Sequence, residues 1–328
     1  MCTAIRMKGA DAYFGRNLDL NAQFGQKVVL TPRNYRFSFT RGEAMPSHYA
    51  ILGIATPIDG YPLYADALNE RGLAIAGLNY PNNAKYSKTE EGKVNVSPFE
   101  LIPYILSRFA SVKEARDFLN SLNLVDIPFS KDVPLASLHW MLSDENESLV
   151  IESDEGGLHV YDNPYDVLTN NPPFPFHREN MKRYRLLSDQ QGEAGFAKDI
   201  DLTPFSVGFG SMFLPGDYSS SSRFVKACFL AKHALLGESE AERQRNFFRL
   251  LFSLSFPLGA VLNPDSTYER TIYSSCMNLS KKSYCYISEN GDVPHLVRIA
   301  DFNLDGNSLF VGPLLEEEAT KAQSLLPL

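Results

Sequence analysis

The order in which strand and helix signals alternate constrains the fold of this chain more than any other feature. Strand-like runs come first, followed by two helix signals, more strands, two further helix signals and a last group of strands. Each sheet face and each helix must bury its apolar side, so two helix pairs separated by strands favour helices on both outer faces of two packed, mainly antiparallel sheets. The sequence predicts an α+β fold, a four-layer αββα sandwich, with residues 1–328 as a single domain.

The helix boundaries are read mainly from capping signals. Ser97, Ser111 and Ser239 are each followed three residues later by Glu, the pattern of a capping box. Helices are predicted over 97–109, 111–122, 223–236 and 239–254. Alternating apolar runs predict strands over 27–32, 35–39, 48–55, 64–69, 73–78, 136–142, 148–153, 158–161, 270–278, 283–288 and 293–299. The proline-rich stretch 172–174 is predicted to be an extended loop, and 176–203 a polar surface excursion.

The first nineteen residues place reactive groups close together. Two short runs around Lys8–Asp11 predict a β-hairpin that returns Arg16 and Asp19 toward Cys2. If Met1 is excised, Cys2 carries a thiol and a free α-amine, the nucleophile and base that covalent acyl transfer needs. An arginine beside a thiol favours the thiolate. The alternatives are that Cys2 is an ordinary strand residue and that Arg16 and Asp19 form a surface ion pair, which is common and contributes little.

Composition excludes several classes of protein. The net charge is −8 and the chain contains no run rich in lysine and arginine, which argues against nucleic-acid binding. No stretch of about eighteen apolar residues occurs, so no insertion into a membrane is expected. Residues 1–30 lack a basic segment followed by an apolar one, so no secretory signal is expected and a cytoplasmic protein is the default.

The cysteines and histidines do not suggest a metal site. The four cysteines form no CxxC pair, and the six histidines form no HxxxH or HExxH motif. In the cytoplasm the cysteines should be free thiols. No phosphate-binding loop or dinucleotide fingerprint is present either. We therefore expect no metal and no organic cofactor.

Five short motifs lie in order along most of the chain, namely Met1-Cys2-Thr3, Phe14–Asp19, Ala76–Pro81, Val167–Pro172 and Leu214–Val225. Together they resemble the choloylglycine hydrolases. This family comprises the conjugated bile salt hydrolases and the related penicillin V acylases, within the N-terminal nucleophile (Ntn) hydrolases, which use the αββα sandwich. Each motif is short, and it is their common order and spacing that makes the signal specific.

The resemblance implies roles for six residues. Cys2 is the implied nucleophile with its α-amine as base, and Arg16 and Asp19 match the pair beside it. Asn79 and Asn170 match the residues that form the oxyanion hole, and Arg223 matches the arginine that completes the polar network. Without the resemblance, each asparagine would be interpreted as a turn residue and Arg223 as a surface residue of a helix.

The implied reaction is hydrolysis of the amide that joins a bile acid to glycine or taurine, through a thioester on Cys2. In the family, asparagine at the position of Asn79 accompanies bile salt hydrolases and tyrosine accompanies many penicillin acylases, so bile salts are favoured. A steroid needs an apolar pocket, and the loops 20–25, 58–63, 133–138 and 205–213 are its candidate walls. The candidate substrate-binding residues are Leu18, Ala22, Phe24, Ile58, Tyr61, Leu63, Ala65 and Leu135.

Three alternatives stand beside this interpretation. The first is a penicillin V acylase or other amide acylase of the same family. The second is a class II glutamine amidotransferase, which also begins with Cys but has a synthase domain that this chain shows no sign of. The third is a non-catalytic carrier of bile acids or lipids, which predicts replacement of Cys2, Arg16, Asp19 or Asn170, whereas all four are present.

Two further expectations follow from the resemblance and the mechanism. Met1 should be removed, because a retained methionine blocks the α-amine of Cys2 and cysteine is small enough to permit its removal. The family is often tetrameric, so a homotetramer is expected, with residues 186–217 as candidates for its contacts.

Overall fold

The chain opens with a tight β-hairpin on which the rest of one sheet is built. The computed structural model describes residues 1–42, 44–193 and 195–319. Strand β1 (Cys2–Lys8) pairs antiparallel with β2 (Ala12–Leu20), so that Cys2 lies opposite Leu18. The predicted hairpin is confirmed, and its register brings the N-terminal thiol beside the second strand.

The other strands are β3 (Lys27–Thr31), β4 (Ile51–Ile58), β5 (Tyr61–Asn69), β6 (Ala74–Asn79), β7 (Val94–Val96), β8 (Leu122–Leu124), β9 (Leu138–Ser143), β10 (Ser148–Asp154), β11 (Gly157–Asp162), β12 (Val167–Leu168), β13 (Val261–Leu262), β14 (Tyr268–Asn278), β15 (Ser283–Ser288), β16 (His295–Arg298) and β17 (Phe310–Pro313). The α-helices are α1 (Leu101–Arg108), α2 (Val112–Ser121), α3 (Phe174–Met181), α4 (Ser220–His233) and α5 (Glu240–Phe252).

These strands form two large antiparallel sheets. The seven-stranded sheet has the order β12-β1-β2-β14-β15-β16, with β13 paired to β14. The eight-stranded sheet has the order β11-β10-β9-β6-β5-β4-β3-β17. β7 and β8 pair separately as a short parallel ribbon.

Side-chain alternation along the strands explains the layers. In β3, Val28 and Leu30 pack into the cluster between the two sheets, whereas Val29 packs on the opposite face with Leu101 and Ile105 of α1. Phe224 of α4 and Phe247 of α5 join the core on the side of the seven-stranded sheet. The predicted four-layer αββα sandwich is confirmed, because each sheet buries one face against the other sheet and one against a helix pair.

Some local predictions were wrong. Residues 35–39 form no strand; Phe37 makes a single bridge to Met45, and its ring is buried among other aromatic side chains. The predicted loop and surface excursion after Pro172 contains helix α3, whose first residue is Phe174. The helix after Ser97 starts with a 3₁₀ turn, Pro98–Glu100, before α1.

None of the helices in the described part of the chain is both long and apolar enough to span a bilayer.

Candidate active site

Cys2 lies at the first position of β1, where the strand meets a cavity. The residue is 2% exposed and its side chain contributes to the cavity wall. The backbone N–H of Cys2 donates to Oδ1 of Asn170 at 2.8 Å. The interpretation of Cys2 as an ordinary strand residue does not explain why a thiol is placed at the base of a cavity and held by polar side chains.

Arg16 contacts the thiol directly. It projects from β2, is fully buried, and donates from Nη2 to the Cys2 Sγ at 2.5 Å. Its Nη1 donates to the carbonyl oxygens of Gly77 at 2.5 Å and Ala65 at 3.3 Å, which fix the guanidinium across the gap between the sheets. Burial acts to lower the pKa of Arg16, but the nearby Cys2 and other acidic groups raise it above its ordinary value. The guanidinium therefore stays charged beside the sulfur.

Asp19 is also buried, three residues further along β2. Its Oδ1 accepts a hydrogen bond from the Thr271 hydroxyl at 2.6 Å, and its Oδ2 has no partner among the described residues. Burial raises the pKa of Asp19, against the opposing positive charges of Arg223 and the N-terminus. A surface ion pair between Arg16 and Asp19 is excluded, because both residues are 0% exposed.

Met1 occupies the space just outside Cys2. Its amine donates to the carbonyl of Asp19 and forms an ion pair with Oε2 of Glu269 at 3.1 Å. Its sulfur lies 3.7 Å from Nη2 of Arg223. The nitrogen of Cys2, at 2.8 Å from Asn170, is the atom that would become the α-amine after loss of Met1.

Asn170, Asn79 and Arg223 complete one hydrogen-bonded network with Cys2. Oδ1 of Asn170 accepts from Arg223 at 2.8 Å, and Nδ2 of Asn170 donates to the carbonyl of Asn79 at 2.7 Å. Arg223 also donates to the Cys2 carbonyl at 2.6 Å and is 2% exposed, so it is not a surface residue of α4. An amide nitrogen has two N–H groups, so Asn170 retains a second donor. The structure thus gathers all six predicted catalytic residues around one thiol.

The cavity above Cys2 has a volume of about 410 Å³ and mainly apolar walls. Six of the candidate substrate-binding residues line it, namely Leu18, Phe24, Ile58, Leu63, Ala65 and Leu135. The wall is completed by further apolar side chains that the sequence did not single out, including Pro98, Phe99 and Phe129. Such a cavity suits a large apolar acyl group with its reacting carbonyl at the sulfur.

Two of the candidate substrate-binding residues and one of the candidate loops do not line the cavity. Ala22 is exposed in the turn after β2. Tyr61 packs behind the cavity wall, with its ring 5.8 Å from that of Phe99 and 5.7 Å from that of Phe129. The segment 205–213, expected to form a wall, does not line the cavity; Phe205 and Phe213 are among the most exposed apolar residues of the described chain.

Sequence reasoning missed Asp66, a carboxylate buried in the same region. Asp66 on β5 accepts hydrogen bonds from the hydroxyls of Tyr273, Ser275 and Tyr284, which belong to the opposite sheet. The Ser275 hydroxyl also accepts from the backbone N–H of Arg16 at 3.3 Å. A single aspartate within an apolar strand gives no local signal of this position.

This constellation defines the class of protein. A buried thiol at a strand terminus, a charged arginine on its sulfur and amide donors beside an apolar cavity on an αββα sandwich are the parts of an N-terminal-nucleophile amide hydrolase. The model of the linear amide C–N hydrolases, choloylglycine hydrolase family, matches residues 2–312. The chain belongs to this family, and the expected resemblance is confirmed.

Individual relatives agree with this assignment. A bile salt hydrolase/transferase of Lactiplantibacillus plantarum is 43% identical over 317 residues, covering 97% of this chain and 98% of the relative. The crystal structure of an arginine-to-leucine variant of conjugated bile acid hydrolase from Clostridium perfringens matches with a TM-score of 0.90 and 33% identity, covering 98% of this chain and 99% of that one. Penicillin V acylase from Agrobacterium tumefaciens shares the fold, with a TM-score of 0.75 at 21% identity over 95% of this chain and 90% of that one.

Proposed function

We propose that this chain hydrolyses the amide bond of glycine- or taurine-conjugated bile salts, releasing the free bile acid and the amino acid. The observation that carries the proposal is the Cys2 sulfur, held by Arg16 at 2.5 Å at the base of an apolar cavity. A bile acid is a large apolar acyl group with a carbonyl at one end, which suits this cavity. The names of the relatives support the same substrate class.

The proposed reaction needs only groups of this chain and water. After removal of Met1, the α-amine of Cys2 takes the thiol proton, and the thiolate attacks the amide carbonyl. Amide N–H groups of Asn79 and Asn170 stabilise the negative oxygen of the tetrahedral intermediate. The C–N bond breaks as the protonated α-amine returns its proton to the leaving nitrogen, which leaves a thioester on Cys2. Water, deprotonated by the same amine, then cleaves the thioester and regenerates the thiol.

Arg16, Asp19 and Arg223 support this chemistry in different ways. Arg16 stabilises the thiolate electrostatically. Arg223 holds the Cys2 carbonyl and the Asn170 amide oxygen at 2.6 and 2.8 Å, which orients both. Asp19 accepts from the new α-ammonium of Cys2 in this proposal, which is supported by its buried oxygen without a partner among the described residues.

The test measures amine release from glycocholate, taurocholate and penicillin V by the wild type and by Cys2→Ala. Cys228→Ala, a buried cysteine on α4, is the matched control. We expect bile salt turnover in the wild type and the control and none in Cys2→Ala. Turnover of penicillin V alone would retain the mechanism and replace the substrate. Turnover that survives Cys2→Ala would overturn both.

We also propose that Met1 is removed before the enzyme becomes active. In the chain with Met1, the Cys2 nitrogen is an amide and cannot act as a base. Intact mass spectrometry of active enzyme should show the mass without Met1, and an active preparation that retains Met1 would contradict the mechanism.

We propose a homotetramer whose contacts include the apolar side chains of residues 196–213. In this segment Phe196, Phe205, Val207 and Phe213 are each at least 85% exposed, and large exposed apolar patches mark protein interfaces. Light scattering should give four times the chain mass for the wild type and less for Phe205→Ser with Phe213→Ser. Leu258→Ser, at a 70% exposed leucine outside the segment, is the control and should stay tetrameric.

Finally, we propose that the enzyme acts in the cytoplasm, where its thiols remain reduced. All four cysteines of the chain are free and buried, and reducing compartments keep thiols in that state. Activity that fractionates with the culture medium rather than with the cell lysate would contradict this location.

A further inference from the structure

Three buried titratable residues lie behind the asparagines of the site and take no part in the proposed reaction. They are His139 on β9, Glu152 on β10 and His177 on α3, each 0% exposed. We call them the histidine–carboxylate cluster. Buried ionisable groups are expensive to keep in a core, so their presence needs a physical reason.

The cluster donates hydrogen bonds to two consecutive backbone carbonyls. His139 Nε2 donates to the carbonyl of Thr169 at 2.8 Å, and His177 Nε2 donates to the carbonyl of Asn170 at 3.0 Å. Oε1 of Glu152 lies 2.9 Å from Nδ1 of His139, and both its oxygens accept from the backbone N–H of Phe174, the first residue of α3, at 3.1 Å. The segment that carries Asn170 is therefore fixed from behind at both carbonyls and at the start of the following helix.

The two imidazole rings also pack against the neighbours of Asn79 and Arg223. The ring of Tyr80 stacks on His139 with centroids 4.3 Å apart and an interplanar angle of 6°. The ring of Phe224 stacks on His177 at 4.5 Å and 16°. Tyr80 follows Asn79 and Phe224 follows Arg223 in the chain, so one cluster touches the three segments that carry Asn79, Asn170 and Arg223.

Counting protons shows how the cluster is paired, with Nδ1 of His177 as the one ring nitrogen of the cluster that has no partner among the described residues. A carbonyl oxygen only accepts, so Nε2 carries the hydrogen in both histidines. A further proton lies between Nδ1 of His139 and Glu152, either on the imidazole or on the carboxyl group, and both arrangements leave that contact satisfied. Removing the carboxyl group would leave Nδ1 of His139 and the N–H of Phe174 buried without partners, which proteins rarely tolerate.

We propose that His139, Glu152 and His177 are positioning residues that fix Asn79 and Asn170 as donors to the negative oxygen of the intermediate. The inference rests on the proposed function of those two asparagines. Stabilisation of an oxyanion depends on donors held rigidly in place before the reaction starts. A displacement of about 1 Å can reduce the rate by about a hundredfold.

Two matched pairs of variants test the proposal. Glu152→Ala removes both contacts of the carboxylate, whereas Glu152→Gln can donate to His139 and accept from Phe174. His177→Phe keeps the stack on Phe224 and loses the donor to Asn170, whereas His177→Gln keeps a donor. The His177 pair serves independently if Glu152→Ala does not fold. Glu155→Ala, at an exposed glutamate in the turn between β10 and β11, is the control for the substitution itself.

We expect a loss in kcat rather than in KM. Glu152→Ala should reduce kcat about a hundredfold and His177→Phe about tenfold, since loss of one oxyanion donor reduces kcat about 10²–10³-fold. KM should stay within about twofold, because the cavity walls are unchanged. Glu152→Gln and His177→Gln should recover most of the lost rate.

A second readout separates positioning from general packing. The aldehyde analogue of cholic acid forms a C–S bond with Cys2; the sulfur proton passes to the α-amine, and the aldehyde oxygen becomes the oxyanion. Its affinity should fall in proportion to kcat in Glu152→Ala and His177→Phe. Binding of free cholate and alkylation of Cys2 by iodoacetamide should not change.

The outcomes distinguish the two proposals. If the wild type cleaves no bile salt, the proposed substrate fails, and the same variants are compared on penicillin V. If the wild type is active and both Glu152→Ala and His177→Phe retain full kcat, the cluster has no positioning role. Equal decreases in the affinity for cholate, the affinity for the aldehyde and the rate of Cys2 alkylation would also overturn the inference, because they show a general loss of structure.

Discussion

The reactivity of the Cys2 sulfur depends on one buried charge. Arg16 donates to the sulfur at 2.5 Å, and its pKa lies above the ordinary value, so the positive charge persists at any pH that the fold tolerates. A positive charge at this distance favours the thiolate. The sulfur therefore gains its nucleophilic form from Arg16 as well as from the α-amine.

We predict that Arg16→Gln slows alkylation of Cys2 by iodoacetamide at pH 7 by about tenfold or more, since about 1.4 kcal/mol of lost stabilisation of the thiolate is a factor of ten. Arg36→Gln, at an exposed arginine, is the control and should react like the wild type. An unchanged alkylation rate in folded Arg16→Gln would show that the contact does not activate the thiol.

His177 makes stability depend on pH. Burial lowers the pKa of His177 to about 4, against the opposing effect of its hydrogen bond to Asn170. An unfolded histidine titrates near 6.5, so between pH 6.5 and 4 the unfolded chain binds a proton that the folded protein does not. The contribution of His177 to the free energy of unfolding is therefore complete above pH 6.5 and decreases by about 3 kcal/mol as the pH falls to 4.

Urea unfolding of the wild type and His177→Gln across this range measures that contribution. The glutamine does not titrate, so we predict a shallower decrease in the free energy of unfolding for the variant, with the difference between the two proteins changing only below pH 6.5. Parallel curves for the two proteins would contradict the lowered pKa.

At the level of single residues, the sequence identifies the site residues that lie within motifs and misses the buried residues that hold them in place. Cys2, Asn79 and Asn170 each stand in a short motif. Glu152 and Asp66 are acidic residues that follow apolar ones in their strands, and their partners come from distant elements, so no local pattern reveals them.

The residues that line the cavity are also only partly predictable from the sequence. Leu63, Ala65 and Tyr61 have the same parity along β5, and a strand pattern places them on one face. Only Leu63 and Ala65 reach the cavity, because Phe99 and Phe129 cover Tyr61. That arrangement depends on loops whose positions the pattern does not contain.

At the level of elements, the site depends on how closely β2 approaches β14. Gly15 precedes Arg16, and a Cβ atom at this position would lie 1.9 Å from the backbone oxygen of Ser275. Only glycine permits this spacing, and Ser275 also contacts the backbone N–H of Arg16. β2 and β14 therefore lie at the distance that directs the Arg16 side chain to the thiol.

We predict that Gly15→Ala lowers the free energy of unfolding by about 3 kcal/mol or more, because neither backbone can move without breaking the sheet. Gly312→Ala in β17 is the matched control in a strand, because a Cβ there meets no atom within 4 Å. It should change the free energy of unfolding by about 0.5 kcal/mol or less. Urea unfolding at equal protein concentrations measures both. A tolerated Gly15→Ala would show that the strands adjust.

The elements that the sequence located are those with signals of their own. Ser111 and Ser239 accept from the N–H groups of Glu114 and Glu242, and the predicted helices start there. Helix α3 has a proline in its first turn but no local side chain that caps it. Its first N–H is accepted by Glu152, 22 residues earlier in the chain, so a tertiary contact replaces the local cap. A helix capped from a distance is not visible to propensity or to capping patterns.

At the level of the whole molecule, Asp66 provides a polar connection within the otherwise mainly apolar packing between the two sheets. The carboxylate stands on the eight-stranded sheet, and its three hydroxyl donors stand on the seven-stranded sheet. Burial raises the pKa of Asp66, against the opposing charge of Arg16 and the three hydroxyl groups. The two sheets that face each other across the site are thus joined next to the guanidinium that crosses between them.

We predict that Asp66→Ala lowers the free energy of unfolding by about 3–5 kcal/mol, because it leaves Arg16 buried without this nearby carboxyl group and three hydroxyls without their acceptor. Asp66→Asn retains one acceptor oxygen and the shape of the side chain, and should lose less. Asp199→Ala, at an exposed aspartate, is the control. Urea unfolding measures the free energy of unfolding of the three variants. The rate of Cys2 alkylation by iodoacetamide reports whether Arg16 still contacts the thiol. If Asp66→Ala matches the wild type in both measurements, the polar connection between the sheets contributes neither stability nor alignment.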